Sequence, residues 1–126
     1  MTCAWESLLQ ILPQWLRQTV NDQDRDRLQE IRLRMGSNPE LIFPHQNKQL
    51  DGTVGREDLQ HCTYAASRYS PWTAESAAQG YITGPGGHRI GLCGEGICRN
   101  GQAFGIRDLR SVCIRVASFT VSNRPS

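Results

Sequence analysis

The sequence predicts an α+β fold, in which a short helical segment precedes an antiparallel sheet packed against helices. Three observations support this fold class. Apolar side chains recur at helical steps over residues 4–20. Strand patterns then precede a helical region and return after it. Between that helical region and the last strands lies a segment, residues 80–94, with six glycines in fifteen positions, which is typical of a hairpin.

The N-terminal segment is expected to be helical but interrupted. Its apolar residues lie three or four positions apart, at Leu8, Leu9, Leu12, Trp15, Leu16 and Val20. Pro13 divides them, and because proline is tolerated only in the first turn of a helix, we expect two short helices or one kinked helix. We assign residues 1–24 to this segment, 25–119 to the sheet domain and 120–126 to a linker.

Two strands are predicted next. Residues 31, 33 and 35 are apolar and alternate with charged side chains, which is the pattern of a strand with one buried face. Arg32 and Arg34 therefore lie on its solvated face. After a turn, residues 41–43 begin a second strand, which Pro44 ends.

Two helices are expected after these strands. The first opens at residue 53 or 55 and runs to about residue 67, with inner-face candidates Leu59, Cys62, Tyr64 and Ala66. The second begins at Ser70, a capping residue that precedes a proline, and continues to about residue 78. It ends at Gly80, since glycine readily adopts the left-handed conformation that terminates helices.

The glycine-rich segment predicts a β-hairpin. Residues 81–83 and 89–92 are short runs of strand-forming residues, and residues 84–87 make the turn between them. A helix is disfavoured because each interior glycine costs about 1 kcal/mol relative to alanine. Asn100-Gly101 indicates a second hairpin. A final strand is predicted from the alternation of Val112, Ile114 and Val116.

The glycine-rich turn is not a phosphate loop of the nucleotide hydrolases. That loop requires Gly-Lys-Ser/Thr, since its lysine reaches the β/γ-phosphates and its hydroxyl holds magnesium. Lys48 is the only lysine among the fourteen basic residues, and it follows an asparagine. We therefore do not expect this chain to hydrolyse ATP by itself. The formal net charge of +2 is too small to indicate a nucleic-acid or membrane partner.

The cysteines and histidines are interpreted as structural residues. Cys93 and Cys98 lack a second close pair, whereas a zinc site needs four converging ligands. His88 stands at the border of turn and strand, where its usual role is a hydrogen bond that fixes the turn. The Gly-x-Ser-x-Gly pattern of a nucleophilic enzyme does not occur. We expect no metal, no cofactor and no catalytic residue in this chain.

The composition is typical of a soluble, cytoplasmic domain. Five cysteines without regular spacing do not resemble a secreted disulfide framework. The first residues lack the basic start and apolar run of a signal peptide. No run approaches the ~20 apolar residues that span a bilayer. We expect one core that folds without a disulfide or a metal.

Four blocks of sequence carry a resemblance to a known family. They are Glu30-Ile31-Arg32-Leu33-Arg34, Ser67-Arg68-Tyr69-Ser70, the segment Gly80 to Gly94, and Ile106-Arg107-Asp108-Leu109-Arg110-Ser111 with Ile114-Arg115. Over residues 8–118 the chain resembles the region that precedes the nucleotide-binding domain in the stage III sporulation protein AA family, relatives of the type II/IV secretion ATPases. Gly84 departs from the pattern, in which a larger apolar residue is expected. The family's Walker motifs would follow after a short linker, whereas this chain stops at Ser126, so we expect it to be either a piece of a longer protein or a truncated gene product.

The resemblance implies a PAS-like domain with helices packed on one face of its sheet. It also implies a non-catalytic assembly and regulatory role, in which the domain docks on the ATPase domain of a neighbouring subunit in a homo-hexamer. ATP and Mg²⁺ would bind the catalytic domain that this chain lacks. The full protein would be cytoplasmic at the inner face of the membrane, without direct insertion, and a secretion or sporulation channel component would be its partner.

The resemblance further implies a role for arginines on the strands. In the hexamers such arginines reach the nucleotide held by the adjoining catalytic domain, so the candidates here are Arg89 and Arg115, followed by Arg107 and Arg110. The motif hairpin comprises Gly84, Pro85, Gly86, Gly87 and His88. Two alternatives stay open. The arginines form ion pairs that hold the sheet or a domain interface, or the chain is a nucleic-acid-binding module that uses Arg32, Arg34, Arg89 and Arg99. For the second alternative the strands offer few aromatic side chains, chiefly Tyr81, Phe43 and Phe104, and none is expected to be adjacent to an arginine pair.

Overall fold

The computed structural model of the chain describes residues 4–20, 27–69, 80–94 and 109–117. Within these ranges the helices are α1 (Ala4–Ile11), α2 (Gln14–Arg17) and α3 (Arg56–Tyr69). The strands are β1 (Glu30–Arg34), β2 (Glu40–Ile42), β3 (Asn47–Gln49), β4 (Ile82–Thr83), β5 (Arg89–Gly94) and β6 (Leu109–Arg115). The predicted α+β fold class is confirmed.

The strands form one antiparallel sheet in the order β3-β2-β1-β6-β5-β4. β1 and β6 lie in its centre, where Ile31 is paired with Ile114. β5 flanks β6 on the other side, with Ile90 opposite Ile114. Strands that are far apart in the sequence therefore form the middle of the sheet.

The helices cover one face of the sheet, the inner face, and the core lies between the two layers. α3 packs against β4, β5 and β6, and α1 packs against α3. The fully buried side chains of this layer include Leu8, Ile11, Leu12, Leu16, Ile31, Leu33, Leu59, Ile90 and Ile114. Burial of a side chain of this size contributes about 1.5–3 kcal/mol, so the inner face supplies most of the folding stability.

Helix α3 confirms three of its four predicted inner-face residues. Leu59, Cys62 and Ala66 are buried, but the prediction for Tyr64 is wrong, because its side chain is 65% exposed. With 3.6 residues per turn, a residue two positions after Cys62 points to the opposite side of the helix. Thr63 is buried instead, and its hydroxyl donates a hydrogen bond to the Leu59 carbonyl at 2.9 Å.

Pro13 separates α1 from α2, as predicted, and a tryptophan on α2 ties the segment to α3. The Trp15 indole Nε1–H donates to Asp58 Oδ1 at 2.9 Å. The other oxygen of that carboxylate accepts the Gly55 N–H at 2.8 Å, which caps the first turn of α3. One acidic side chain thereby fixes both the start of α3 and the position of the N-terminal segment.

The glycine-rich segment forms the predicted hairpin. Ile82 pairs with Ile90, and a 3₁₀ turn over Pro85–Gly87 joins the two strands. Gly86 has a φ of 79°, a left-handed value that favours glycine. Gly84, where a larger residue was expected, is buried, and a Cβ there would lie 2.6 Å from Ile90 Cδ1. In this chain the Ile90 side chain fills that space.

Strand β3 was not predicted. Its three residues are polar and exposed, and they pair with β2 at the edge of the sheet. Because apolar alternation is the sequence signal for a strand, this segment carries none. The helix expected over residues 70–78, the Asn100-Gly101 hairpin and the linker over residues 120–126 lie outside the described residues, so they stay predictions.

Candidate docking face

The face of the sheet opposite the helices is polar, and we call it the outer face. Strand alternation places on it Glu30, Arg32 and Arg34 of β1, Cys113 and Arg115 of β6, and Arg89 and Gly91 of β5. All four of these arginines are exposed, whereas Glu30 is buried. The outer face therefore presents guanidinium groups to solvent.

Strand register brings the first two candidate arginines together. Arg89 of β5 lies directly opposite Arg115 of β6. Arg115 in turn lies directly opposite Glu30 of β1. One row across three strands thus runs from a carboxylate to two guanidinium groups. Since like charges in opposite positions repel, the arrangement favours an additional anion near the pair.

The Glu30 carboxylate is the centre of the charged contacts on the outer face. Its Oε2 accepts a hydrogen bond from Arg32 Nε at 2.5 Å, and its Oε1 lies 3.9 Å from Arg115 Nη2. The thiol of Cys113 is also hydrogen-bonded to it. The Glu30 side chain is 12% exposed, against 54% for Arg32 and 70% for Arg115. The carboxylate therefore lies beneath the guanidinium groups that it holds.

These contacts shift the pKa values of the Glu30 carboxyl group and the Cys113 thiol. Burial by itself raises the pKa of Glu30, but hydrogen bonds from Arg32 and Cys113 and the nearby positive charges outweigh it and lower that pKa below its ordinary value. Burial, with the hydrogen bond and charge of Glu30, raises the pKa of the Cys113 thiol to about 12. At neutral pH the carboxylate is ionised and the thiol is protonated, so Cys113 is a donor and not a nucleophile.

Arg89 is held differently from Arg115. Its guanidinium carbon lies 4.9 Å from the centre of the Tyr81 ring, a cation–π distance. It makes no ion pair with any carboxylate of the described residues. A shallow depression of about 200 Å³ lies between the two arginines, lined by Tyr81, Arg89, Gly91, Cys113 and Arg115. The absence of a side chain at Gly91 keeps this depression open.

The motif hairpin connects α1 to the end of β6. His88 is fully buried, and its Nδ1 accepts a hydrogen bond from the Ala117 N–H at 3.0 Å. The Gly84 N–H donates to the His88 carbonyl at 2.7 Å. Gly86 packs so closely on α1 that a Cβ there would lie 2.9 Å from the Ser7 Cβ. The turn therefore contacts both α1 and the residue that follows β6, and we call these contacts the turn clamp; it lies next to Arg89 in the sequence.

The remaining candidates do not join the row of Arg89 and Arg115. Arg110 is exposed on β6, where the pairing with β5 becomes irregular. Arg107, Arg99 and the Cys93 and Cys98 side chains fall outside the described part of the chain. Over residues 4–20, 27–69, 80–94 and 109–117, no three metal-binding side chains come together. In the same ranges, no helix has the length and apolar character needed to cross a membrane.

Cys113 was not predicted to be part of this face, and the expectation that Tyr81 is not adjacent to an arginine pair is wrong, because Arg89 lies over its ring and opposite Arg115. The signal for Cys113 was present, because alternation with the buried Val112 and Ile114 places it on the same side as Arg115. No local pattern predicts the contact between Tyr81 and Arg89, since it depends on how the hairpin closes.

Comparisons with known proteins assign the chain to a family. A family model described as "Sporulation stage III, protein AA" matches residues 4–123. The chain is 33% identical over 114 residues to stage III sporulation protein AA of Bacillus subtilis (strain 168). That match covers 87% of this chain but only 37% of the length of the relative. No solved structure matches the chain. The chain therefore belongs to the sporulation stage III protein AA family and is a sporulation-related protein.

Proposed function

We propose that this chain is a non-catalytic assembly and regulatory domain of a longer sporulation ATPase. Its outer face docks on the ATPase domain of a neighbouring subunit. The observation that supports this proposal is the pairing of Arg89 with Arg115 on a face of the sheet whose arginines remain exposed. A sheet face that only had to be soluble would not need two guanidinium groups in directly opposed positions.

The chemistry of the pair fits an anionic partner surface. A guanidinium group is a planar fork of donors that matches the oxygens of a carboxylate or a phosphate. Glu30 neutralises part of the positive charge of the row, and a partner anion would neutralise the rest. In an ATPase assembly, an arginine supplied by one domain to the nucleotide of another stabilises the charge that develops on the transferred phosphate.

The assembly that we propose extends beyond this chain. The matched relative is much longer, which leaves room for a catalytic domain that binds ATP and Mg²⁺. Subunits would form a homo-hexamer in the cytoplasm, at the inner face of the membrane and beside a channel component. Closure of this domain on its neighbour would convert nucleotide state into rigid-body motion.

The test measures ATP turnover and thermal stability of the full-length protein with Arg89→Ala and Arg115→Ala. Arginine fingers contribute about 10³–10⁵ in rate where they contact the transferred phosphate. We therefore expect a loss of turnover far larger than any loss of melting temperature. Arg34→Ala is the matched control, because Arg34 is exposed on the same face but outside the row. Normal turnover in the folded Arg89 and Arg115 variants would contradict the docking role.

The 126-residue chain alone should show no ATP turnover above a buffer blank, since it lacks the phosphate-loop lysine. Nucleic acid is the competing partner for an arginine-lined sheet. Binding of RNA or duplex DNA with a steep decrease of affinity on adding salt would favour that function. Arg89 lies over one face of the Tyr81 ring, which makes that face less available for stacking with a base.

A further inference from the structure

We propose that Glu30 and Tyr81 are positioning residues that hold Arg115 and Arg89 as one preorganised pair, and that this pair binds an oxyanion in the depression above Gly91. The anion would be a carboxylate or phosphate group of the docking partner, so its biological source rests on the proposed function. The positioning itself is a property of this chain and can be measured without a partner.

The first step is the placement of Glu30. Its carboxylate is shared by Arg32 at 2.5 Å and by Arg115 at 3.9 Å, and it is far less exposed than either. Arg115 is flanked by Glu30 on the β1 side and by Arg89 on the β5 side. The carboxylate therefore attracts Arg115 from the side opposite to Arg89. This attraction opposes the repulsion between the two guanidinium groups and favours the conformation of Arg115 that faces Glu30.

The second step is the placement of Arg89 over Tyr81. The guanidinium carbon lies 4.9 Å from the ring centre, a cation–π distance, so the ring limits where this side chain can turn. A guanidinium group carries five N–H donors, and attraction to a ring does not require all of them, so donors remain for a hydrogen-bonded anion. Arg89 forms no ion pair within the described residues, which leaves those donors for an external anion.

The third step is the space between the arginines. The depression of about 200 Å³ has Gly91 and Cys113 among its lining residues, with Arg89, Tyr81 and Arg115 around them. A Cβ at position 91 would lie 3.3 Å from the Gly80 carbonyl oxygen, so a side chain there would be crowded as well as filling the depression. The site thus has donors on two sides and room for one small anion.

The test is an NMR titration of the 126-residue chain, in which the Nε–Hε signals of Arg89 and Arg115 report binding of inorganic pyrophosphate or of succinate at low salt. The Glu30→Gln variant separates positioning from net charge, because the two mechanisms predict opposite signs. Removing a negative charge should strengthen anion binding if only net charge matters. If Glu30 positions the arginines, the Kd for the anion should rise by about three- to tenfold.

Tyr81 is tested by a matched pair of substitutions. Tyr81→Phe keeps the ring and should leave the Kd within about twofold, whereas Tyr81→Leu removes the ring and should weaken binding several-fold. Arg34→Ala serves as the control outside the pair. A second measurement needs no ligand: the exchange rate of the Arg115 Hε proton should increase in Glu30→Gln, and that of Arg89 in Tyr81→Leu.

Three outcomes would overturn the inference. They are no binding of either anion by the unsubstituted chain, tighter binding by Glu30→Gln, or equal binding by Tyr81→Phe and Tyr81→Leu. Tighter binding of pyrophosphate than of succinate would indicate a phosphate site, and the reverse would indicate a carboxylate site. If full-length Arg89→Ala keeps normal turnover while these titrations behave as expected, the docking function fails and the positioning inference stands.

Discussion

The two faces of the central strands are built from neighbouring residues but respond to different physical demands. On the inner face, Ile31 and Ile114 are fully buried against the helical layer. On the outer face of the same strands, the buried carboxylate of Glu30 is paired with Arg32 and Arg115, whose side chains are largely exposed. Neighbouring residues of β6 therefore differ in role, since Ile114 is buried in the core whereas the side chain of Arg115 is exposed to solvent.

This difference separates the residues that stabilise the domain from those that give it a surface. Apolar burial is worth about 25 cal/mol per Å², and the buried apolar side chains of the described residues form a single core cluster. Exposed ion pairs contribute only about 0–1 kcal/mol each. The outer face can consequently be altered at small cost in stability, which makes its arginines suitable positions for a function.

The largest expected effect comes from substituting adjacent residues on opposite faces. Ile114→Ala should reduce the free energy of unfolding by about 2–5 kcal/mol, because it leaves a cavity in the centre of the sheet. Arg115→Ala should reduce it by about 0–1 kcal/mol, since its side chain is 70% exposed. Urea denaturation of both variants measures the difference. Equal losses would mean that the outer face also carries core stability.

The next largest effect is expected at the glycine turn, and it tests whether Gly86 is closely packed against α1. Gly36→Ala and Gly86→Ala both place a side chain at positive φ, at 84° and 79°, which costs about 1–2 kcal/mol. Nothing lies near a Cβ at Gly36, but at Gly86 it would lie 2.9 Å from Ser7 Cβ and 3.0 Å from His88 Nε2. Gly86→Ala should therefore be more destabilising by about 1–3 kcal/mol. Similar melting temperatures for the two variants would contradict the close packing of the turn on α1.

A smaller effect is expected from the hydrogen bond between His88 and Ala117. His88→Leu removes the acceptor of the Ala117 N–H and should cost about 1–3 kcal/mol. His88→Asn keeps an oxygen near the position of Nδ1 and should recover part of that loss. Hydrogen exchange at the Ala117 amide provides the readout. Unchanged protection of this amide in His88→Leu would show that another group satisfies it.

The smallest effect concerns the pH dependence of the outer face. The pKa of Glu30 is lowered in the folded chain, so the stability that its ionised form contributes is present above the ordinary carboxyl pKa. It is lost as pH falls through the lowered folded value. The difference in stability between the unsubstituted chain and Glu30→Gln should be about 0–1 kcal/mol at pH 7 and should decrease at acidic pH. A difference that is constant from pH 7 to pH 3 would exclude this ionisation as its cause.

Several features of this protein were determined locally and could therefore be predicted from its sequence. Alternation in Ile31, Arg32 and Leu33 predicted both β1 and its outward arginines. Pro13 divided the N-terminal segment, and the glycines of residues 84–87 produced the hairpin. These features depend on backbone dihedral preferences and on the period of apolar side chains, and both act over a few residues. The polar strand β3 has no such pattern, and its place in the sheet comes from pairing with β2.

Only the tertiary structure decided which residues of different strands meet. The pairing of β1 with β6 brings Glu30 beside Arg115, and the pairing of β5 with β6 places Arg89 opposite Arg115. Strand order and register follow from burying all the apolar faces under one helical layer, a condition that no single segment contains. The same condition places Tyr64 in solvent and His88 in the core. The outer-face pair is therefore a product of the whole sheet, although each of its arginines was identifiable in the sequence.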